Sequence, residues 1–321
     1  MSACLRCRSA VEPDDLRCAV CAASTPARQS SASGATLTVL RCDGCGAGIT
    51  YDVNRKAPCC AFCGATVHLE QVVDPLEQAQ LALPFGVSAD AARGALDGFL
   101  RQGGFFRPGD LALAAGISAM QPMWWAAWVF DAEADVAFAT DANAGGHRSK
   151  WAPYAGVTRM SFQRIAVSAS RGLKDHESRQ LVPGYDLASA GEVAAMTSAA
   201  PAETALERFE LQRSAARGRV SEAITSIARN DVARHVPGTA RRNTHVSLVL
   251  RELVTRRVLF PAWILTYSYR KKPYRVVVHG QQASIVTGER PISIARVVAV
   301  VALVVLLAGL LALIVALLSG R

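Results

Sequence analysis

The 321-residue chain reads as an α+β protein with a specialised segment at each end. Three observations predict this. Residues 71–293 carry helix-spaced apolar segments followed by β-branched and aromatic runs joined by tight turns, the pattern of a mixed domain with antiparallel strands. Eight of the nine cysteines fall into four C-x-x-C pairs before residue 64. Val297 to Leu318 runs without a polar or charged side chain.

The cysteine pairs are Cys4/Cys7, Cys18/Cys21, Cys42/Cys45 and Cys60/Cys63. Two residues between thiolates let both sulfurs of a tight knuckle reach one tetrahedral ion at ~2.3 Å, and a facing knuckle closes the shell. Four such pairs in tandem point to zinc rather than to redox or disulfide chemistry. Sequential pairing gives two structural Zn2+ ions, one in a ribbon over residues 1–25 and one in a ribbon over residues 39–70; an interleaved cross-brace is the alternative. The Ser, Ala and Gly content of residues 26–38 reads as a flexible linker between independent modules. Gly46 and Gly64 follow their pairs, where positive φ eases the knuckle turn, whereas the first ribbon has Arg8 and Ala22 there. Cys59 is a spare thiol, and His68 would be a fifth ligand to a full shell. A shell of four thiolates leaves no open position for water, so both ions are expected to hold the fold and do no chemistry.

Residues 71–293 are long enough for a real core. A helix is expected over Ala89–Arg101, with Ser88 as its N-cap and Ala91, Ala95, Leu96, Phe99 and Leu100 on one face. Met123–Phe130, carrying Trp124, Trp125 and Trp128, and Val136–Thr140 read as strands, with the tryptophans packed in a sheet core; a second membrane span over Leu111–Phe130 is interrupted by Gln121 and Pro122. Met160–Ala169 is a further strand, and Leu181–Leu187 a turn. Glu203–His235 has no proline and reads as one long helix or a pair broken at Gly218. Its acids Glu203, Glu207, Glu210 and Glu222 interleave with Arg208, Arg213 and Arg217 as on a solvated face. After Pro237-Gly238 the pattern turns to β: Val246–Leu250, Val258–Tyr269 and Tyr274–His279, with Lys271-Lys272-Pro273 as the turn, then Ala283–Thr287.

The apolar run Val297–Leu318, within an anchor segment expected over residues 294–321, spans ~33 Å as a helix and matches the hydrocarbon core of a bilayer. Arg290 and Arg296 precede it and Arg321 alone follows, so the bulk of the chain is expected in the cytoplasm, tail-anchored to the inner membrane by a single span. Met1–Arg8 has no apolar core of a secretory signal, and thiolate ligands suit a reducing compartment. Net charge is +9, and six of the basic residues lie between Arg270 and Arg296 with Glu289 as the one acid among them. That patch reads equally as a headgroup contact and as a topology determinant.

No catalytic motif emerges. The chain lacks a G-x-x-x-x-G-K-[ST] phosphate loop, H-E-x-x-H, G-x-S-x-G and a strand-linked G-x-G-x-x-G. Asp175-His176-Glu177 has no nucleophile beside it and reads as a surface turn.

Several segments after residue 39 resemble a known group. Cys42-x-x-Cys45-Gly46, Cys60-x-x-Cys63-Gly64, Leu83-Pro84-Phe85, Met123-Trp124-Trp125, Pro183-Gly184-Tyr185-Asp186-Leu187, and Phe260-Pro261-Ala262-Trp263 through Gly288-Glu289-Arg290-Pro291-Ile292-Ser293 are similar to bacterial membrane-anchored TFIIB-type zinc-ribbon proteins. These are often mislabelled as primosomal replication-factor-Y-like helicases, a label whose ATPase motors this sequence lacks. In place of the family's N-G-x-T-G-K turn stands His279-Gly280-Gln281-Gln282-Ala283-Ser284. The resemblance implies a membrane adaptor linked to phage-shock or ESCRT-III-like remodelling systems. The expected function is therefore a non-enzymatic, tail-anchored adaptor that recruits a cytoplasmic protein, with no small-molecule substrate. The alternative is a membrane-tethered nucleic-acid binder using Arg41, Arg55 and Lys56, with Tyr51 and Phe62 as the stacking candidates.

Overall fold

The computed structural model describes residues 2–11, 15, 18–21, 23, 36–43, 47–50, 60, 62, 67–73, 78–144, 150–211 and 213–319. Its elements run β1 (Ser2–Ala3), β2 (Ala10–Val11), β3 (Thr36–Cys42), β4 (Gly48–Thr50), β5 (Val67–Val73), β6 (Leu81–Ala82), α1 (Ala89–Arg101), α2 (Leu111–Ala114), β7 (Gly116–Ala142) and β8 (Ala152–Ser168). They continue with α3 (Asp175–Leu181), β9 (Gly191–Glu192), α4 (Val193–Ser198), β10 (Ala205–Leu206), α5 (Arg213–Asp231), β11 (Arg241–Tyr269), β12 (Lys272–His279), β13 (Val286–Gly288) and α6 (Ile294–Ser319). The α+β class stands: the eight-stranded sheet is mostly antiparallel, with parallel pairings only at the short β6 and β10.

The sheet is built on two unusually long strands, β7 of 27 residues and β11 of 29, paired antiparallel along nearly their whole length. Segments expected as separate strands, Met123–Phe130 with Val136–Thr140 and Val246–Leu250 with Val258–Tyr269, are each one strand. Burial explains why the sequence looks divided. From Met123 to Phe130 both faces of β7 are covered and the run is continuously apolar; beyond Asp131 one face is open and buried positions alternate with exposed ones. β11 mirrors this, fully buried from Val258 to Leu265 and alternating before it.

The change of character coincides with breaks in the strand register. Register shifts fall between Phe130 and Ala132 in the β7–β8 pairing and between Leu250 and Glu252 in the β11–β7 pairing, and Arg164 on β8 takes φ 58°. On one face, Trp124, Ala126, Trp128, Phe130, Ala134 and Val136 pack with Ala216, Val220, Ile224 and Ala228 of α5. On the other, Met123, Trp125, Ala127 and Val129 pack with Leu181 and Tyr185 and with Leu40, Cys42, Cys60 and Phe62. The tryptophans are thus core residues with no exposed ring: Trp124, Trp125 and Trp128 are fully buried, and their N–H groups reach Leu83 O at 2.9 Å, the Tyr185 hydroxyl at 3.2 Å and Leu211 O at 2.9 Å. The span considered over Leu111–Phe130 is instead α2 and the first half of β7.

α1 has the expected bounds. Ser88 Oγ accepts from Ala91 N at 3.2 Å, Asp90 sits in the first turn and Arg101 in the last. Ala92, rather than Ala91, joins Leu96, Phe99 and Leu100 against Trp263, Leu265, Val276 and Val278.

Two expectations are corrected. The long helix from Glu203 starts only at Arg213, because Ala205–Leu206 adds to the edge of β7 and Glu207 N bonds Trp124 O at 2.9 Å. Gly218 lies within α5 without breaking it. The hairpin between β11 and β12 turns at Arg270 and Lys271, both at positive φ, so Lys272 and Pro273 are already paired with Tyr269 and Ser268.

β3, β4 and β5 form a separate antiparallel sheet, and β3 begins at Thr36, inside the expected linker; residues 24–35 lie outside the described residues. The backbone of α6 is continuous to Ser319, with side chains described as far as Gly309. Among the described residues no helix is long and apolar enough to cross a membrane.

Candidate metal centre

Cys4, Cys7, Cys18 and Cys21 converge, as sequential pairing of the first two knuckles requires: their sulfurs all lie within 4.8 Å of one another. Cys4 Sγ is 3.6 Å from Cys21 Sγ, and Cys7 Sγ is 3.5 Å from Cys18 Sγ. A tetrahedral ion with ~2.3 Å bonds to sulfur sets its ligands ~3.8 Å apart, so the four thiols fit that shell with little movement.

The local backbone explains the convergence. β1 and β2 pair as a minimal hairpin that brings Cys4 and Cys7 into one turn. Cys4 N bonds Ser9 O at 2.9 Å, and Arg8 N bonds Cys4 O at 2.9 Å. Arg8 adopts φ 60°, the left-handed conformation that a glycine would take without strain. The residue identity made this ribbon look atypical, and the turn forms regardless. Cys18 N repeats the pattern with Ala23 O at 2.8 Å, and Val20 N points at Cys18 Sγ at 3.4 Å.

The thiols themselves favour a cation. The Ser9 side chain, whose oxygen is 3.3 Å from Cys7 Sγ, and next the Ser9 backbone N–H draw Cys7 down to about 6. The one proton of the Ser9 hydroxyl goes to Arg251 O at 2.7 Å and its oxygen accepts from the Cys7 thiol, so the backbone N–H is the donor that stays with the thiolate. Cys4 is lowered, chiefly by backbone N–H groups of Cys7 and Arg6. A backbone bond from Ala23 pulls Cys21 the same way, yet burial and the neighbouring Cys7, Cys4 and Cys18 push it up to about 11. Four thiolates cannot ionise side by side without a compensating charge, which a divalent ion supplies.

The first ribbon is fastened to the sheet domain. Asp15 accepts two bonds from Arg217, at 2.8 and 3.0 Å, and a longer one from Arg213 at 3.4 Å; Ser9 holds Arg251, and Ala19 and Val20 pack beside the α5 face. Sequence reasoning placed Arg213 and Arg217 on a solvated helix face and gave Asp15, between the cysteine pairs, no role; nothing local in the sequence links them.

Of the second set, Cys42 and Cys60 are buried in one cluster with Leu40, Ala47 and Phe62, while Cys45, Cys63 and the spare Cys59 lie outside the described residues. Both described cysteines repeat the knuckle signature of the first ribbon. Cys42 N bonds Ala47 O at 3.1 Å, as Cys4 and Cys18 do five residues on, and Phe62 N points at Cys60 Sγ at 3.4 Å, as Val20 does at Cys18. This ribbon also has its latch. Arg41 pairs with Glu210, Arg208 N bonds Gly48 O at 3.1 Å, and Arg275 donates to Phe62 O at 3.4 Å and Gly172 O at 2.6 Å.

Two further buried carboxylates are held by hydrogen bonds from the segments around them. Glu207, expected on a solvated helix face, is buried beneath the Ser170–Leu173 loop, where Oε1 accepts from Ser170 Oγ at 2.8 Å and from the N–H groups of Arg171 and Gly172 at 3.1 and 3.2 Å. Burial pushes its carboxyl up to about 8. Glu177, expected in a surface turn, is buried at the start of α3, capping Lys174 N at 2.8 Å and pairing with Arg275.

The signature segments named above also meet. Tyr185 stacks on His279 at 3.7 Å and donates to Pro261 O at 2.7 Å, while Asp186 N bonds Gln281 Oε1 at 2.9 Å. Gly280 N bonds Pro261 O at 3.0 Å, and its own carbonyl receives Gly86 and Val87; a side chain at Gly280 would stand 2.4 Å from Pro261 O. These motifs encode a crossing of backbones in the core. Comparison of the chain with protein families, with characterised proteins and with solved structures returns no match.

Proposed function

We propose that the chain is a non-enzymatic membrane adaptor of the TFIIB-type zinc-ribbon kind, in which two structural zinc ions hold ribbons clasped to an α+β domain and α6 anchors the assembly. The observation that carries the membrane assignment is exposure on every side of α6. Leu303, Val304, Val305, Leu306 and Leu307 are consecutive, therefore distributed around the whole helix, and each is at least 55% exposed. A helix that is apolar and exposed all round at its described residues Leu303–Leu307 needs a non-aqueous surrounding, and the sequence continues the run to Leu318. The recurring knuckle bonds at Cys42 and Cys60 support a second ion held with Cys45 and Cys63.

The ribbons sit on opposite faces of the sheet, a geometry suited to presenting rigid surfaces to a cytoplasmic protein partner. The nucleic-acid alternative loses support at Arg41, whose guanidinium is engaged by Glu210, and at Phe62, which is fully buried; Tyr51, Arg55 and Lys56 lie outside the described residues. The test is gentle purification of the full-length chain from its membranes with and without nuclease. A stoichiometric protein that persists after nuclease and moderate salt is the expected result. Material that vanishes with nuclease, or affinity that collapses steeply with salt, would transfer the assignment to nucleic acid.

A further inference from the structure

The start of α6 is surrounded by a collar from the α+β domain. Ser293 N bonds Phe106 O at 2.8 Å, Arg296 donates to Phe105 O at 2.9 Å, and Arg290 donates to Gln102 Oε1 at 2.8 Å. With their carbonyls tied to the helix start, Phe105 and Phe106 turn outward, 68% and 45% exposed, stacked edge-on at 5.2 Å. Ile292 and Ile294, flanking Ser293, are exposed as well, as is Leu113 on α2. Water leaves such a cluster unsatisfied, whereas aromatic and aliphatic side chains at a bilayer interface are stabilised.

A cationic element lies against the same collar. The β11–β12 turn places Arg270 at φ 50° and Lys271 at φ 64°, positions where glycine and asparagine are favoured, so the fold accepts strain to carry charge there. Asp110 fixes the base of this turn, accepting from the Tyr269 hydroxyl at 2.7 Å and pairing with Arg270 at 3.4 Å. Among the described residues Lys271 and Lys272 form no ion pair. Between turn and helix runs a groove of about 390 Å³ lined by Pro108, Tyr269, Arg270, Lys272, Ser293 and Arg296.

We propose that this rim is a docking surface for anionic phospholipid headgroups, with Phe105 and Phe106 entering the interface and Arg270, Lys271, Lys272 and Arg296 meeting lipid phosphates. The proposal rests on the reading of α6 as the bilayer anchor. Only Glu289 to Ser293 separate β13 from the helix, so an inserted α6 pins the rim at headgroup depth without a linker. The domain then stands in one fixed orientation, its ribbons held away from the lipid surface or toward it as a rigid unit.

The test uses the full-length chain in nanodiscs of phosphatidylcholine alone or of phosphatidylcholine mixed with phosphatidylglycerol. Co-elution with lipid reports insertion of α6, and amide hydrogen exchange over residues 103–115 and 268–274 reports the rim. Exchange at low salt is expected to be roughly tenfold slower in the anionic discs, an effect that high salt and the combined Arg270→Ala, Lys271→Ala, Lys272→Ala variant remove. Lys271→Glu, in an exposed turn, keeps the test decisive if the triple variant fails to fold. Equal exchange in both disc types, with the chain inserted, overturns the docking surface and leaves the anchor standing. Slowing by free inorganic phosphate in neutral discs, or protection that depends on protein concentration, assigns the rim to a soluble anion or to a second copy and likewise overturns it. A chain that fails to enter discs refutes the anchor, and the proposal with it.

Discussion

Glu207 should make this protein less stable as pH rises through the neutral range. Its carboxyl is 2% exposed, Oε1 already accepts three hydrogen bonds, and Oε2 has no hydrogen-bond partner among the described residues. The ionised form would bury an uncompensated charge, so the folded chain keeps the proton up to about 8, against 4.5 for an ordinary glutamate. Below pH 4.5 both folded and unfolded states are protonated and nothing is lost. Between 4.5 and 8 the unfolded chain releases the proton while the folded chain retains it, so stability falls by about 1.4 kcal/mol per pH unit, roughly 5 kcal/mol in all, and levels off above 8. Glu207→Gln keeps the acceptor for Ser170, Arg171 and Gly172 and cannot ionise. Denaturation of the zinc-loaded, detergent-solubilised wild type and variant, followed by fluorescence of the buried tryptophans from pH 5 to 8, isolates the effect, because other titrations cancel in the difference. The variant should gain on the wild type steadily across that range. Parallel stability curves would refute a retained proton and imply that water or a rearranged loop solvates the carboxylate.

The other predictions concern the ribbons and the backbone crossing. Replacing Cys60 and Cys63 with alanine should halve the zinc content from two ions to one and loosen residues 39–70 while leaving the chain in the membrane fraction; a chain that leaves the membrane would contradict the division between ribbon and anchor. Arg217→Ala removes the two-pronged contact with Asp15 and should release the first ribbon by about 1–2 kcal/mol, read as faster hydrogen exchange over residues 2–11; unchanged exchange would mean that Ser9 and Val20 suffice. Tyr185→Phe leaves the Trp125 N–H buried without its partner and Pro261 O with Gly280 N alone, and should cost about 1–3 kcal/mol in unfolding free energy; a neutral result would show that a water replaces the hydroxyl.

Local chemistry was legible wherever a residue's role depends on its near neighbours in sequence. The C-x-x-C spacing predicted the shell of Cys4, Cys7, Cys18 and Cys21, and Ser88 with the apolar spacing after it predicted α1 to the residue. Roles set by distant partners were not legible. Glu207 and Arg217 sit ten residues apart in a stretch that looks uniformly amphipathic, yet one is buried under a loop and the other reaches across to Asp15. The motif around Gly280 could be recognised as a pattern, but its meaning, a close approach to the backbone of Pro261, needed β11 and β12 in place.

The sequence by itself determined the first cysteine shell and the class of the middle of this protein. Thiolate spacing and β-branched periodicity act over a few residues, so their consequences do not await the rest of the chain. The tertiary structure decided the rest: that β7 and β11 are each one strand whose pairing runs on through register shifts, that the helix after Glu203 begins late, and that both cysteine modules are clasped to the sheet. Each of these follows from burial and from hydrogen bonds between segments far apart in sequence, and such energies exist only once the chain has folded.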